Sequence, residues 1–201
     1  GVKEIKVGTF YFCKKLESVD LPASVTKVSK FAFDGCTGLV ALSLPDKISA
    51  IGKYAFRNCT SLKDVKLSGR MRYIYGGAFM GCTAIEEIKI SKEFSYGDNY
   101  SYVYTSAFEG CTSLRKIEFD AVMYFAGNAG AYIFKDCVSL EHVDLSGAQS
   151  AIGEGILSGC VNLKSVIVPD SVEEIRENAF KGCRSLESIT LGTKLRDIQA
   201  D

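Results

Sequence analysis

The sequence predicts a solenoid of about eight repeats of 23 residues, mostly short parallel strands with helical or 3₁₀ turns, forming one domain over residues 1–201. Three observations carry that prediction. The eight Cys stand at 13, 36, 59, 82, 111, 137, 160 and 183, at intervals of 23, 23, 23, 29, 26, 23 and 23. Five of the seven intervals are identical, and a fixed period in the range of about 20 to 50 residues is the signature of a stacked array. Second, four apolar columns keep phase with the Cys. Phe stands three residues before it, from Phe10 to Phe180, with Leu157 as the one replacement; Leu, Ile, Val or Phe stands three, six and eight residues after it, from Leu16, Val19 and Leu21 to Leu186, Ile189 and Leu191. Third, the last two columns alternate with polar residues, as in Ser18-Val19-Asp20-Leu21, which is the pattern of a half-buried strand.

Each element of the repeat has a local reason. All three prolines, Pro22, Pro45 and Pro169, follow the strand and end it by removing a backbone donor. A second apolar pair closes the unit, as Ser24-Val25 with Val28 or Ser171-Val172 with Ile175. The Ala-Phe-x-x-Cys stretch, as Ala32 to Cys36 or Ala55 to Cys59, suits one helical or 3₁₀ turn. Immediately before Cys stand Gly35, Asn58, Gly81, Gly110, Asp136, Gly159 and Gly182, the residue types that tolerate a left-handed backbone. Phe12 breaks that column and puts the geometry of the first repeat in question. One repeat cannot bury its own apolar face, so neighbouring repeats must share a continuous core.

The consensus A-F-x-x-C-x-x-L-x-x-V-x-L-P-x-S-V-x-x-I, seen over Ala55 to Ile74 and Ile175 to Ile198, resembles the BspA-like, or treponemal-type, leucine-rich repeat. The resemblance covers the whole chain. It implies a leucine-rich-repeat solenoid, α/β horseshoe-like, with a parallel sheet on one face. It further implies a cell-surface or secreted bacterial protein of adhesion type that binds other proteins, and it carries no shared catalytic residues. Both ends fall inside the repeat pattern, at Val2 to Ile5 and Leu195 to Ile198. The expectation is therefore a segment of a longer chain, with flanking domains or another chain covering the terminal repeats.

Composition narrows the function. Lys and Arg number 24 against 24 Asp and Glu, so there is no basic footprint for nucleic acid. The longest uncharged run, Ala121 to Phe134, is too short for a membrane span, which needs roughly 20 apolar residues. The Cys spacing lacks the clustering of a metal site, and a single His adds little. No metal and no cofactor are expected. The thiols read as a buried ladder of small hydrophobic groups.

Two groups of residues are candidates for binding. On the first strand, Asp64 and Lys66, Glu87 and Lys89, Lys116 and Glu118, and His142 and Asp144 occupy the same two polar slots. The His-Asp pair suggests general-base chemistry, but its column mates make it one rung of a charge ladder on an exposed sheet face. The second group lies where the period breaks, over residues 91–132. Tyr96, Tyr100, Tyr102, Tyr104, Tyr124 and Tyr132 fall there, six of ten Tyr in the chain, together with Phe125. The two insertions sit at the same phase of consecutive repeats and should lie side by side. Tyr with Ser, Gly and Asn is the chemistry of recognition loops, and insertions in repeat arrays often mark the binding face. The same aromatics would also serve as filler between irregular repeats. The expected function is non-catalytic binding of a protein or a glycan; a spacer with no ligand of its own is the alternative, and an enzyme is the third reading.

Overall fold

The computed structural model describes residues 1–90, 100–119, 122–124 and 130–199, with the backbone alone at 90, 100, 119 and 122–124. Every turn of the coil contributes two short strands, so two sheet strips run along the solenoid where the sequence pattern predicts one. The first strip is built from the expected strand: β2 (Ser18–Asp20), β4 (Ala41–Ser43), β6 (Asp64–Lys66), β8 (Glu87–Ile90) and β10 (Lys116–Phe119) form one parallel sheet. β12 (His142–Asp144), β14 (Ser165–Ile167) and β16 (Ser188–Thr190) form another. The closing apolar pair makes the second strip: β1 (Glu4–Ile5), β3 (Lys27–Val28), β5 (Ala50–Ile51), β7 (Tyr73–Ile74), β9 (Tyr100–Val103), β11 (Val122–Tyr124), β13 (Ala148–Ile152), β15 (Val172–Ile175) and β17 (Asp197–Ile198). The closing pair extends because its apolar member packs inward while its neighbours point out, and stacking in register hydrogen-bonds its backbone to the next turn.

The third side of the coil is the Ala-Phe-x-x-Cys corner. Among the described residues it forms hydrogen-bonded turns and no α-helix. Its backbone bonds between coils instead of along a helix: Phe33 N–H donates to Ala55 O (2.7 Å), Phe56 N–H to Ala78 O (2.8 Å) and Phe79 N–H to Ala107 O (2.8 Å). A helical turn would point those N–H groups at its own chain; two left-handed residues per corner turn them toward the neighbour. The first is the residue before Cys, at φ 72–77° for Gly81, Gly110, Gly159 and Gly182. Phe12 conforms as well, at φ 56°, so the first repeat has the same geometry as the rest. The second lies five residues before Cys, at Phe31, Tyr54, Ser106, Tyr132 and Asn178 (φ 56–58°) and at Gly8, Gly77 and Gly155. Nothing in the residue types signalled this second site, because bulky side chains rarely adopt that conformation.

Two internal ladders fill the core. Phe10, Phe33, Phe56, Phe79, Phe108 and Phe134 stack as one column, with successive centroids 4.9, 5.0, 5.3, 5.4 and 5.6 Å apart. Beside it run the thiols. Each of seven Cys donates its S–H to the Phe or Leu carbonyl of the preceding turn: Cys36 to Phe10, Cys59 to Phe33, Cys82 to Phe56, Cys111 to Phe79, Cys137 to Phe108, Cys160 to Phe134 and Cys183 to Leu157, at 3.0–3.3 Å. That carbonyl already accepts the backbone N–H of the Cys in its own turn, as Cys36 N–H to Phe33 O at 3.1 Å, and the thiol of the next turn takes its second lone pair. Cys is small enough for the core and carries a donor, which is a physical reason for it in every repeat.

Candidate functional site

Six thiols of the ladder are shifted away from reactivity. Burial pushes the Cys36 and Cys111 thiols up to about 12 and Cys183 up to about 11; Cys82, Cys137 and Cys160 move the same way for the same cause. A nucleophilic or metal-binding Cys needs the opposite shift. The eight cysteines are free, and Cys13, in the first turn, is exposed.

On the first strip the alternation puts Val65, Ile88, Ile117 and Val143 inside and their polar neighbours outside. Lys116 stands in register with Glu87, and Glu118 with Lys89. Glu118 accepts from Lys116 (2.5 Å) and Lys89 (3.2 Å), and these hydrogen bonds hold its carboxyl below the usual range. Lys66 faces Lys89 across the strands. A shallow depression of about 670 Å³ lies over Asp64, Lys66, Glu87 and Lys89. His142 and Asp144 do not pair. The His142 Nδ1 lies 2.7 Å from Ser165 Oγ in the next turn, while Asp144 accepts from the Ser146 backbone N–H at 2.8 Å. Ser165 is a neighbour the one-strand view could not show, but His142 stands on an open face, with its carboxylate engaged elsewhere. This is the polar ladder the column comparison predicts.

The second strip carries a different edge. β9 and β11 pair in parallel, Tyr100 with Val122 and Tyr102 with Tyr124, so the ends of the two insertions do lie side by side. β9 also pairs with β7, Tyr102 with Tyr73. The outward positions of β7, and Tyr75 just after it, therefore meet those of β9. Tyr73 stacks on Tyr102 at 5.7 Å and Tyr75 on Tyr104 at 5.2 Å, while Tyr73 and Tyr75 lie 5.8 Å apart. Tyr75 is 37% exposed; Tyr73, Tyr102 and Tyr104 are half-buried. Burial, then the neighbouring Tyr75, Tyr73 and Tyr102, raise the Tyr104 phenol above its ordinary value. Tyr96 and Phe125 lie outside the described residues, and of Tyr100 and Tyr124 only the backbone is described. Tyr132 is placed apart from this stack: its hydroxyl donates to Glu154 and its ring lies under Lys135 Nζ at 5.9 Å.

Sequence reasoning missed Tyr73 and Tyr75, although a signal was present. Counted from Cys, Tyr73 and Tyr102 share the column nine before it, and Tyr75 and Tyr104 the column seven before it. A second missed group is the corner ridge. Arg57 makes a two-pronged bond to Asp34 of the preceding turn, Nε to Oδ1 at 3.1 Å and Nη2 to Oδ2 at 2.7 Å, and Asp34 is completely buried. The Arg57 guanidinium lies over Tyr54 (4.7 Å) and Phe31 (5.7 Å), which stack at 5.6 Å. Lys135 and Glu109 repeat the ion pair at 3.0 Å beside Tyr132.

Comparison with known proteins gives the family. The sequence family described as BspA type leucine rich repeat region (6 copies) matches residues 1–105 and 91–201. Among solved structures, a leucine-rich repeat protein of T. pallidum is 26% identical over 92% of this chain and 72% of its own, with a TM-score of 0.58. A leucine-rich repeat protein of Eubacterium ventriosum ATCC 27560 has the same fold, with a TM-score of 0.63 at 21% identity over 90% of this chain; the chain spans 43% of that relative's length. Curated proteins give no match. With matched segments that together run from residue 1 to residue 201, joined to a coil built on the same repeat, the chain belongs to the BspA-type leucine-rich repeat family.

Proposed function

We propose that this chain is a non-catalytic binding module of a bacterial cell-surface or secreted protein, and that it engages its protein or glycan ligand through the tyrosine edge of the second strip. The observation that carries this reading is the paired stack of Tyr73 with Tyr102 and Tyr75 with Tyr104, partly open to solvent where the repeat length changes. Four aromatic rings with polar tips supply rigid contact area at little entropic cost. In neighbouring turns the place of Tyr75 is taken by Gly52 and Gly130, so the cluster is local. The surface location rests on the family. Flanking domains, or another chain against the terminal repeats, belong to the same reading.

The spacer reading is favoured by one observation: the four rings contact each other, and three are half-buried. A binding screen against extracellular-matrix proteins and glycans separates the two. It compares this chain with a variant carrying Tyr73, Tyr75, Tyr102 and Tyr104 as Ser, with folding verified by circular dichroism. Capture that the variant loses is the expected result. Capture unchanged in the variant would move recognition to another surface, and no capture would favour the spacer. An enzymatic role predicts one thiol other than the exposed Cys13 far more reactive than its copies, which limited alkylation would reveal.

A further inference from the structure

Beside the tyrosine stack the coil surface opens into a groove of about 300 Å³, lined by Lys53, Tyr54, Tyr75, Gly76, Tyr104 and the Thr105–Ser106 pair. Three turns build it. The third turn supplies Lys53 and Tyr54, with Lys53 Nζ 5.1 Å over the Tyr54 ring. The fourth turn contributes no corner side chain, because Gly76 and Gly77 stand there. The Tyr54 ring fills the space over Gly77, where a Cβ would come within 2.2 Å of its Cε1. At Gly76 the nearest atom to an added Cβ is Thr105 O at 3.2 Å, so the groove floor is bare backbone. The fifth turn closes the far end with Tyr104, Thr105 and Ser106.

The chemistry of this lining is uneven in an informative way. Among the described lining residues there is one cation, Lys53, and no carboxylate, whereas the sheet face alternates both signs. Three phenol rings and two hydroxyls make up most of the rest. The volume is at the lower limit of small-ligand pockets, about 300–1,000 Å³, which suits one or two sugar rings. A pyranose offers C–H groups to aromatic surface and hydroxyls to Ser, Thr and Tyr. An acid group on that ring would meet Lys53 and form a charge-assisted bond.

We propose that this groove is a subsite for an acidic sugar, a pyranose bearing a carboxylate, seated among Tyr54, Tyr75 and Tyr104 with its acid group on Lys53. The proposal rests on the binding role argued above and narrows its ligand class. Sialic-acid termini and uronic-acid polysaccharides share this chemistry, so the test uses both.

Titration calorimetry of the whole chain with 3′-sialyllactose, a hyaluronan tetrasaccharide and neutral lactose provides the test. One acidic sugar binds at least about tenfold more tightly than lactose, a difference of one charge-assisted contact. Lys53→Gln removes that preference and leaves the groove open. Gly76→Val, at a position without a left-handed φ, fills the groove and abolishes binding. Should Gly76→Val fail to fold, Lys53→Gln still decides the matter. No preference for either acid, or a preference that survives Lys53→Gln, overturns the subsite. Capture of a matrix protein through the tyrosines, with both acidic sugars ignored, also overturns it and leaves the broader binding role standing; capture of nothing overturns both.

Discussion

The inner corner and the tyrosine edge are built from the same coil yet follow opposite rules. At the corner each turn repeats its neighbour: Phe on Phe, and a thiol on the carbonyl of the turn before. Seven thiols of that spine donate to a carbonyl of the turn before, and burial raises those of Cys36 and Cys111. At the edge the repeat is broken. Tyr75 and Tyr104 stand where Gly52 and Gly130 stand in the adjoining turns, and Tyr75 presents 37% of its surface to solvent. Repetition through every turn marks scaffold, because stacking rewards identical neighbours; at the edge the Tyr pairs stack across two turns only and stay partly open to solvent.

The largest expected effect breaks the spine. Phe56 sits in mid-column between Phe33 and Phe79, so Phe56→Ala destabilises by about 3–5 kcal/mol, measured by urea unfolding. Phe56→Leu, which copies the natural Leu157, costs much less. Equal losses for the two would mean that the ring stack, which both variants lose, outweighs the volume that only Phe56→Leu keeps. Next comes the corner ion pair. Arg57→Leu leaves the Asp34 carboxylate buried without its partner and costs about 2–3 kcal/mol. The double variant Asp34→Leu with Arg57→Leu recovers most of it, and a purely additive cycle would contradict the pairing.

A smaller effect is expected at Gly77. Its φ of +63° and the 2.2 Å approach of a Cβ to Tyr54 make Gly77→Ala destabilising by about 2 kcal/mol. Adding Tyr54→Ala relieves the contact and leaves only the backbone cost. The gentlest test is alkaline pH. The thiols of Cys36 and Cys111 titrate near 12 in the folded chain and near about 8.5 when unfolded. Between those values the unfolded chain binds fewer protons, so stability falls as pH rises, by up to about 1.4 kcal/mol per unit for each buried thiol. Below about 8.5 both states keep the proton and the slope from these groups vanishes. Cys111→Ala should flatten the decline of the urea midpoint between pH 9 and 11. An unchanged slope would show that this thiol titrates alike in both states.

Much of the coil was legible because its determinants recur at one spacing. The Cys and Phe columns, the first strand and the left-handed position before Cys all follow from residue type plus period. The second strip was not legible as a sheet, since strands such as Lys27–Val28 and Ala50–Ile51 are too short to show alternation. The left-handed site at Tyr54 and Tyr132 was hidden by side chains that disfavour it; packing between turns overrides that preference. The Asp34–Arg57 pair joins residues 23 apart in one column, two before Cys, where nothing in a single repeat marks them. The candidate edge was half legible. Tyr102 and Tyr104 stood out by composition, while Tyr73 and Tyr75 belong to a regular repeat and gain their role only from the next turn stacking on them.

The most direct test of whether recognition sits where the repeat departs from itself compares two variants of matched size on opposite strips. Tyr75→Ser with Tyr104→Ser alters the edge; Lys66→Ser with Lys89→Ser alters the sheet face. The affinity of the strongest binder from the matrix-protein and glycan screen is measured for both and for the unaltered chain. The account predicts a loss of at least about tenfold for the tyrosine variant and little change for the lysine variant. The reverse order would place recognition on the charged ladder and contradict it.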